Sequence, residues 1–374
     1  MIIITLLLFV ILLFFVDWLI KKNNERKKIT VLYDGIRRYY HLCEYNLCRK
    51  AVITTDQTYW LYNNVKGTVM ENRNVPFCID ENGFIEPTIY NENSKIKLIF
   101  MGDSTTESAI VMPENRFSVI VGMALNRKGI TCSSYNGGYS GGNVYRVNQQ
   151  ILCKCLPLKP THIILCSCIH DVSSLILYPD LYSTLREHGE IREDNTSIDK
   201  MLYKLKKGFR CILPNIYLEL YKAKQKRKTN DNSCISDNDL QVKLICKESV
   251  KKKLDKYARE GYSTFISICK ENGVTPVLMT QPNLFEKGKC SSKLNEMYSN
   301  FEFSKSLLYD DFVELFQYCS DIIRQVSCEK GVKLIDLDRT VPKNDDMIYD
   351  YVHLTDEGSK VVALEILNKL FETC

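Results

Sequence analysis

The sixteen cysteines of this 374-residue chain include no Cys-x-x-Cys pair. That absence removes the zinc-knuckle pattern. Cys153/Cys155 and Cys166/Cys168 are spaced by two, which in a strand sets each pair on one face. Several cysteines lie in apolar runs such as "IILCSCI", where the residue behaves as a small hydrophobe. The even count permits disulfides, and a reducing compartment fits equally well. A dominant basic block is also missing. A net charge of +5 is small for this length, and a nucleic-acid partner has no support. The clearest basic stretch, "KAKQKRK" at residues 222–228, runs straight into "TNDNSCISDND" and reads as a solvated loop. No internal repeat is present. The N-terminus lacks both the basic start and the small-residue cleavage site of a secretory signal peptide.

What that N-terminus has is an apolar run, Ile2 to Ile20, with Asp17 as its only charge. A helix over residues 2–20 spans about 28 Å, the hydrocarbon thickness of a bilayer. The expectation is therefore a single uncleaved membrane anchor, residues 1–20, with Trp18 at the interface. Lys21, Lys22, Arg26, Lys27 and Lys28 all follow the run. By the positive-inside rule they favour a cytoplasmic C-terminal domain, an extracytoplasmic one remaining open.

Residues 21–94 form a juxtamembrane region rich in Tyr and Asn, with short strands and no sustained periodicity. From Lys95 onward the pattern is regular. Short apolar runs predict strands at Leu98–Met101, Thr161–Cys166, Thr275–Met279 and Lys333–Ile335. The intervening stretches, among them "RFSVIVGMALNRKG", "SVKKKLDKYAREGYSTFISICKENG" and "SLLYDDFVELFQYCSDIIRQVSCEKG", carry apolar faces at helical spacing and stop at Gly129, Gly273 and Gly331. Alternating strands and helices predict an α/β domain over residues 95–374, with helices on both faces of a parallel sheet. Residues 182–239 are less regular and read as an insertion.

Ligands of such sheets bind beyond the carboxyl ends of the strands. Four segments place reactive groups there: "GDSTTES" with Ser104, "YNGGYSGGN" after "TCSSYN", "CSCIHD" with His170 and Asp171, and "YDYVHLTDEG" with Asp350 and His353. A serine hydroxyl needs a base within hydrogen-bond reach, and the base needs an orienting acceptor. Of the five histidines, only His353 has an aspartate three residues before it. His162 opens a strand, and His41 and His188 lie in irregular polar segments. Backbone N–H groups of a glycine loop suit an oxyanion, although a plain glycine-rich turn accounts for Gly137, Gly138, Gly141 and Gly142 equally well. Ser104 alone is likewise ambiguous, because Asp and Ser at a strand–helix junction are ordinary helix caps.

Taken in order, these segments resemble the SGNH, or GDSL-like, hydrolase family, over roughly Lys95 to the C-terminus. The resemblance implies a three-layer αβα sandwich around a mostly parallel five-stranded, flavodoxin-like sheet. It implies ester hydrolysis without metal or other cofactor. Ser104 takes the nucleophile's place, Asp350 and His353 the Asp-x-x-His pair, and Ser104 N–H and Gly141 the oxyanion hole. One block departs: where the family has Gly-x-Asn-Asp, this chain reads Cys168-Ile169-His170-Asp171. A neutral imidazole still donates one N–H, so His170 is expected as the third oxyanion donor. The expected function is a membrane-anchored serine esterase acting on a small acyl group, such as acetyl, on a carbohydrate or cell-surface glycan. An acyltransferase would use the same triad, and a catalytically silent carbohydrate-binding or assembly protein would keep the fold alone.

Overall fold

Strand β4 (Ile96–Gly102) is the apolar run that ends in Gly-Asp-Ser. Its side chains alternate between two cores, because successive strand residues point to opposite faces. Leu98 and Phe100 enter one core, Ile99 and Met101 the other. Strand β6 (His162–Cys166) repeats the division with Ile164 and Cys166 against Ile163 and Leu165. Burial on both faces explains why these runs read as continuously apolar.

The computed structural model describes residues 44–45, 47–56, 67–182 and 245–371. The main sheet has six strands in the order β3-β5-β4-β6-β7-β8, completed by β3 (Ile85–Ile89), β5 (Cys132–Asn136), β7 (Thr275–Met279) and β8 (Lys333–Ile335). Five strands are parallel, and β3 pairs antiparallel with β5 at one edge. One face is covered by α2 (Phe117–Arg127) and by α10 (Asp356–Phe371), through Phe117, Val121, Val362 and Ile366. The other face is covered by α3 (Val144–Gln150), α4 (Ile169–Leu177), α6 (Arg259–Glu271) and α8 (Tyr309–Lys330). The architecture is an αβα sandwich with a mixed sheet. The chain leaves β4 for β5 on one side and returns to β6 on the other, so the topological switch point lies between β4 and β6.

Two expectations are corrected. The sheet has six strands, not five, and it starts at Ile85 rather than within residues 95–374. The segment "IEPTI" reads poorly as a strand because Pro87 interrupts it. A proline inside a sheet is tolerated at an edge, which is where β3 lies. Farther upstream, β1 (Lys50–Thr54) and β2 (Asn74–Cys78) pair as a separate two-stranded antiparallel sheet. Among the described residues no helix is long and apolar enough to cross a membrane. The expected anchor at residues 2–20, nearly all of the 182–239 insertion, His41 and His188 lie outside the described residues.

Arg116 ties the upstream strands to the main body. It is 1% exposed, and it donates from Nε to Ser108 O at 3.3 Å, from Nη2 to Pro76 O at 3.2 Å and from Nη1 to Glu86 O. Its guanidinium also lies 5.6 Å from the Phe77 ring centroid. Burial pulls its pKa down to about 10, opposed by the nearby Glu107 charge. Arg116→Met fills the space but takes a donor from three carbonyls, of which Ser108 O keeps the Val111 N–H, so a loss of about 2–4 kcal/mol is expected. The check is the urea midpoint; an unchanged midpoint refutes the tie.

Candidate active site

The turn after β4 is built by Asp103, not by the serine that follows it. Asp103 is buried and caps α1 (Ser104–Glu107) by accepting the Thr105 N–H at 2.9 Å. Gln281, in the loop after β7, donates from Nε2 to both Asp103 oxygens (3.2 and 2.9 Å) and to Thr105 Oγ1 at 2.6 Å. The same amide's oxygen accepts the Ile169 N–H at the start of α4 at 2.8 Å. One buried glutamine thus locks together the loops after β4, β6 and β7. Burial raises the Asp103 pKa to about 7 against the opposing pull of the Thr105 N–H and His353. Ser104 is left half-buried, and its hydroxyl takes no part in the cap.

Asp350 and His353 reach that hydroxyl through a folded-back loop. Asp350 Oδ1 accepts the N–H groups of Val352 (3.0 Å) and His353 (2.9 Å), and Tyr349 N–H donates to His353 O at 2.9 Å. This local capping is why an Asp-x-x-His spacing suffices: it turns the imidazole back over its own carboxylate. Asp350 Oδ2 lies 2.6 Å from Nδ1, and Nε2 lies 2.6 Å from Ser104 Oγ. An ionised carboxylate only accepts, so Nδ1 carries the proton and Nε2 is an acceptor for the serine hydroxyl. The Tyr349 ring stacks on the imidazole at 5.6 Å and 15°. Thr105 Oγ1 donates to Val352 O at 3.2 Å, and Leu284 N–H to Tyr351 O at 2.8 Å, pinning the loop to α1 and to the segment after β7.

Burial would depress the His353 pKa. The charge and hydrogen bond of Asp350 outweigh it, with smaller contributions from Asp103 and Glu107, and the pKa lies above the ordinary histidine value. Burial would likewise raise Asp350, but His353 and the two backbone N–H groups hold it below the usual carboxylate value.

The glycine loop after β5 lies against α1. Asn136 Nδ2 donates to Thr106 O at 2.9 Å, and Gly138 N–H to Asn136 Oδ1 at 3.0 Å. A Cβ on Gly138 would stand 2.2 Å from Glu107 N, so only glycine permits this approach. Gly141 has φ +79°, a left-handed conformation that side chains disfavour. Among the described residues neither the Ser104 N–H nor the Gly141 N–H has a hydrogen-bond acceptor.

Asp171 does structural work beneath this loop. It accepts from Val144 N–H, Ser167 Oγ and Tyr262 OH, each at 2.8 Å, and so fixes the start of α3 against the start of α4. His170, in the first turn of α4, is half-buried. Burial, then the His353 and Arg146 charges, push its pKa down to about 4. It is therefore neutral near pH 7, with one ring N–H to donate.

The structure thus gathers Ser104, Asp350 and His353 into one hydrogen-bond chain. Gly141 comes from the loop after β5 and His170 from the first turn of α4, while His162 stays at the far end of β6. The sequence reading missed Gln281, Glu107 and Arg116; a buried polar residue leaves no local pattern. Among the described residues no cluster of His, Cys, Asp or Glu could hold a metal ion.

No family model and no curated relative matches this chain. Among solved structures, the acetyl xylan esterase AlAXEase aligns at 18% identity and a TM-score of 0.41, covering 74% of this chain and 100% of that one. LAE5, an alpha/beta hydrolase from the metagenome of Lake Arreo, Spain, aligns at 14% identity, 74% and 95% coverage and a TM-score of 0.39. Axe2, an acetylxylan esterase from Geobacillus stearothermophilus, aligns at 15% identity, 74% and 95% coverage and a TM-score of 0.41. With TM-scores below 0.5, these likenesses leave the roles of the residues to their own geometry.

Proposed function

We propose that this protein is a serine ester hydrolase of the SGNH type, acting on a small acyl group, such as acetyl, carried by a carbohydrate. The observation that carries the reading is the hydrogen-bond chain from Asp350 through His353 to Ser104, 2.6 Å at each link. In this mechanism Ser104 Oγ attacks the ester carbonyl while His353 Nε2 takes its proton. Asp350 stabilises the imidazolium that forms. The N–H groups of Ser104 and Gly141 and the ring N–H of His170 stabilise the oxyanion. His353 passes its proton to the leaving alcohol, and water, activated by the same imidazole, releases the acyl group. The acetyl and carbohydrate preference rests on the family resemblance alone.

The test is labelling by a fluorophosphonate probe, with turnover measured on a panel of acylated sugars and short nitrophenyl esters. Labelled protein that turns over short esters supports the reading. Protein that neither labels nor turns over any ester supports a silent binding protein, which the histidine at position 170 motivates. The role of His170 has its own check. His170→Ala is expected to lower kcat by about 10²–10³-fold, the usual effect of one lost oxyanion donor. Unchanged ester turnover removes it from the hole.

A further inference from the structure

Glu107, the last residue of α1, is a carboxylate placed where an apolar side chain would cost less. It is 6% exposed, and burial raises its pKa against the pull of Ser140, Tyr45, His353 and Arg116. A buried carboxylate is retained at a cost that only its partners offset. Its two oxygens accept from two hydroxyls that come from distant parts of the chain. Oε2 accepts from Ser140 Oγ and Oε1 from Tyr45 OH.

Ser140 belongs to the glycine loop and immediately precedes Gly141. It is exposed, and its side chain turns inward to make this bond. The two glycines ahead of it let the loop run close over α1, with Gly138 against the Glu107 backbone. Backbone bonds from Tyr139 N–H to Gly102 O and from Gly142 N–H to Tyr139 O, each 3.2 Å, hold the loop, but neither joins its Gly141 end to α1. The Ser140 bond fixes that end to the same four-residue helix that presents Ser104. Tyr45 arrives from the segment upstream of β1, where its ring packs edge-on against Phe77 at 5.7 Å. Its hydroxyl occupies the other carboxylate oxygen.

We propose that Glu107 is a positioning residue: it clamps Ser140 so that the Gly141 N–H is held at a fixed distance from Ser104, and Tyr45 completes the clamp from the upstream segment. The inference rests on the esterase reading, in which that N–H serves the oxyanion. It makes residues before the main sheet part of the catalytic apparatus without placing any of them against the substrate.

The experiment compares wild type, Ser104→Ala, Glu107→Ala, Glu107→Gln and Ser140→Ala for ester turnover and for amide hydrogen exchange across residues 137–142. Glu107→Ala and Ser140→Ala are each expected to lower kcat by about 10–100-fold, part of what a lost oxyanion donor costs, with KM changed less than about threefold. Exchange across residues 137–142 is expected to quicken in both. A double variant, Glu107→Ala with Ser140→Ala, is expected to lose less than the two effects combined, since both substitutions remove the Ser140–Glu107 bond, Glu107→Ala losing the Tyr45 bond as well. Glu107→Gln keeps an acceptor oxygen and gains an amide donor, and is expected to recover to within about fivefold of wild type. Ser140 is exposed, so its variant reports even where Glu107→Ala fails to fold. Wild-type turnover that does not depend on Ser104 overturns the esterase reading and this inference with it. Ser104-dependent turnover that Ser140→Ala leaves unchanged, or loop exchange that it leaves unchanged, overturns the clamp alone.

Discussion

Ser104→Ala is expected to lower turnover of a short nitrophenyl ester by about 10⁴-fold or more, as loss of a serine nucleophile does elsewhere, and to leave the unfolding midpoint unchanged. The second half of that expectation comes from the capping geometry. The side chain that caps α1 is Asp103, through the Thr105 N–H. Among the described residues the only bond that turns on Ser104 Oγ is the one to His353 Nε2. The Ser104 carbonyl, which accepts the Ser108 N–H at 3.1 Å, is kept by alanine. A nucleophile and a cap therefore make opposite demands. If Ser104 were a structural cap, its alanine variant would lose about 1 kcal/mol of stability with ester turnover still measurable. Turnover and thermal unfolding measured on the same sample separate the two. Retention of a tenth of the wild-type activity sinks the nucleophile assignment.

Ser104, Asp350 and His353 could be picked from the sequence because each carries a local signature. A serine closes an apolar run, and an aspartate stands three residues before a histidine. Four of the five parallel strands were legible for the same kind of reason, since burial on both faces writes an unbroken apolar run; the fifth, β5, reads CSSYN and carries no such run. Strand β3 was not, because its role as an edge strand tolerates the proline that hides it. Nor was the lock around the site. Gln281, Arg116, Glu107 and Tyr45 act across 30 to 178 positions of sequence, and polar residues are ordinarily exposed. Only the fold shows them buried and bonded. His170 falls between these cases. Its candidacy as an oxyanion donor was readable from block order, whereas its neutrality depends on burial and on the charges of His353 and Arg146.

Asp350→Asn is expected to lower kcat by about 10⁴-fold while the loop that carries it keeps its shape. The two carboxylate oxygens do separate jobs, which is why the substitution discriminates. Oδ1 accepts the Val352 and His353 N–H groups and folds the loop; Oδ2 faces His353 Nδ1. Asparagine keeps a carbonyl oxygen for the first job and offers an NH2 for the second. That NH2 donates to Nδ1, so the ring proton moves to Nε2, and Nε2 can no longer accept from Ser104. The pH profile should move as well. A base must be unprotonated to act, so kcat/KM of the wild type rises with pH through the His353 pKa, which lies above the ordinary value because Asp350 outweighs burial. Removing the carboxylate charge lowers that pKa, so the acid limb of whatever activity remains shifts to lower pH. Asp350→Ala, by contrast, also deletes the loop cap and is expected to lose about 1 kcal/mol or more of stability. A variant Asp350→Asn with near-normal turnover, or with its acid limb unmoved, shows that Asp350 only shapes the loop and that another group orients the base.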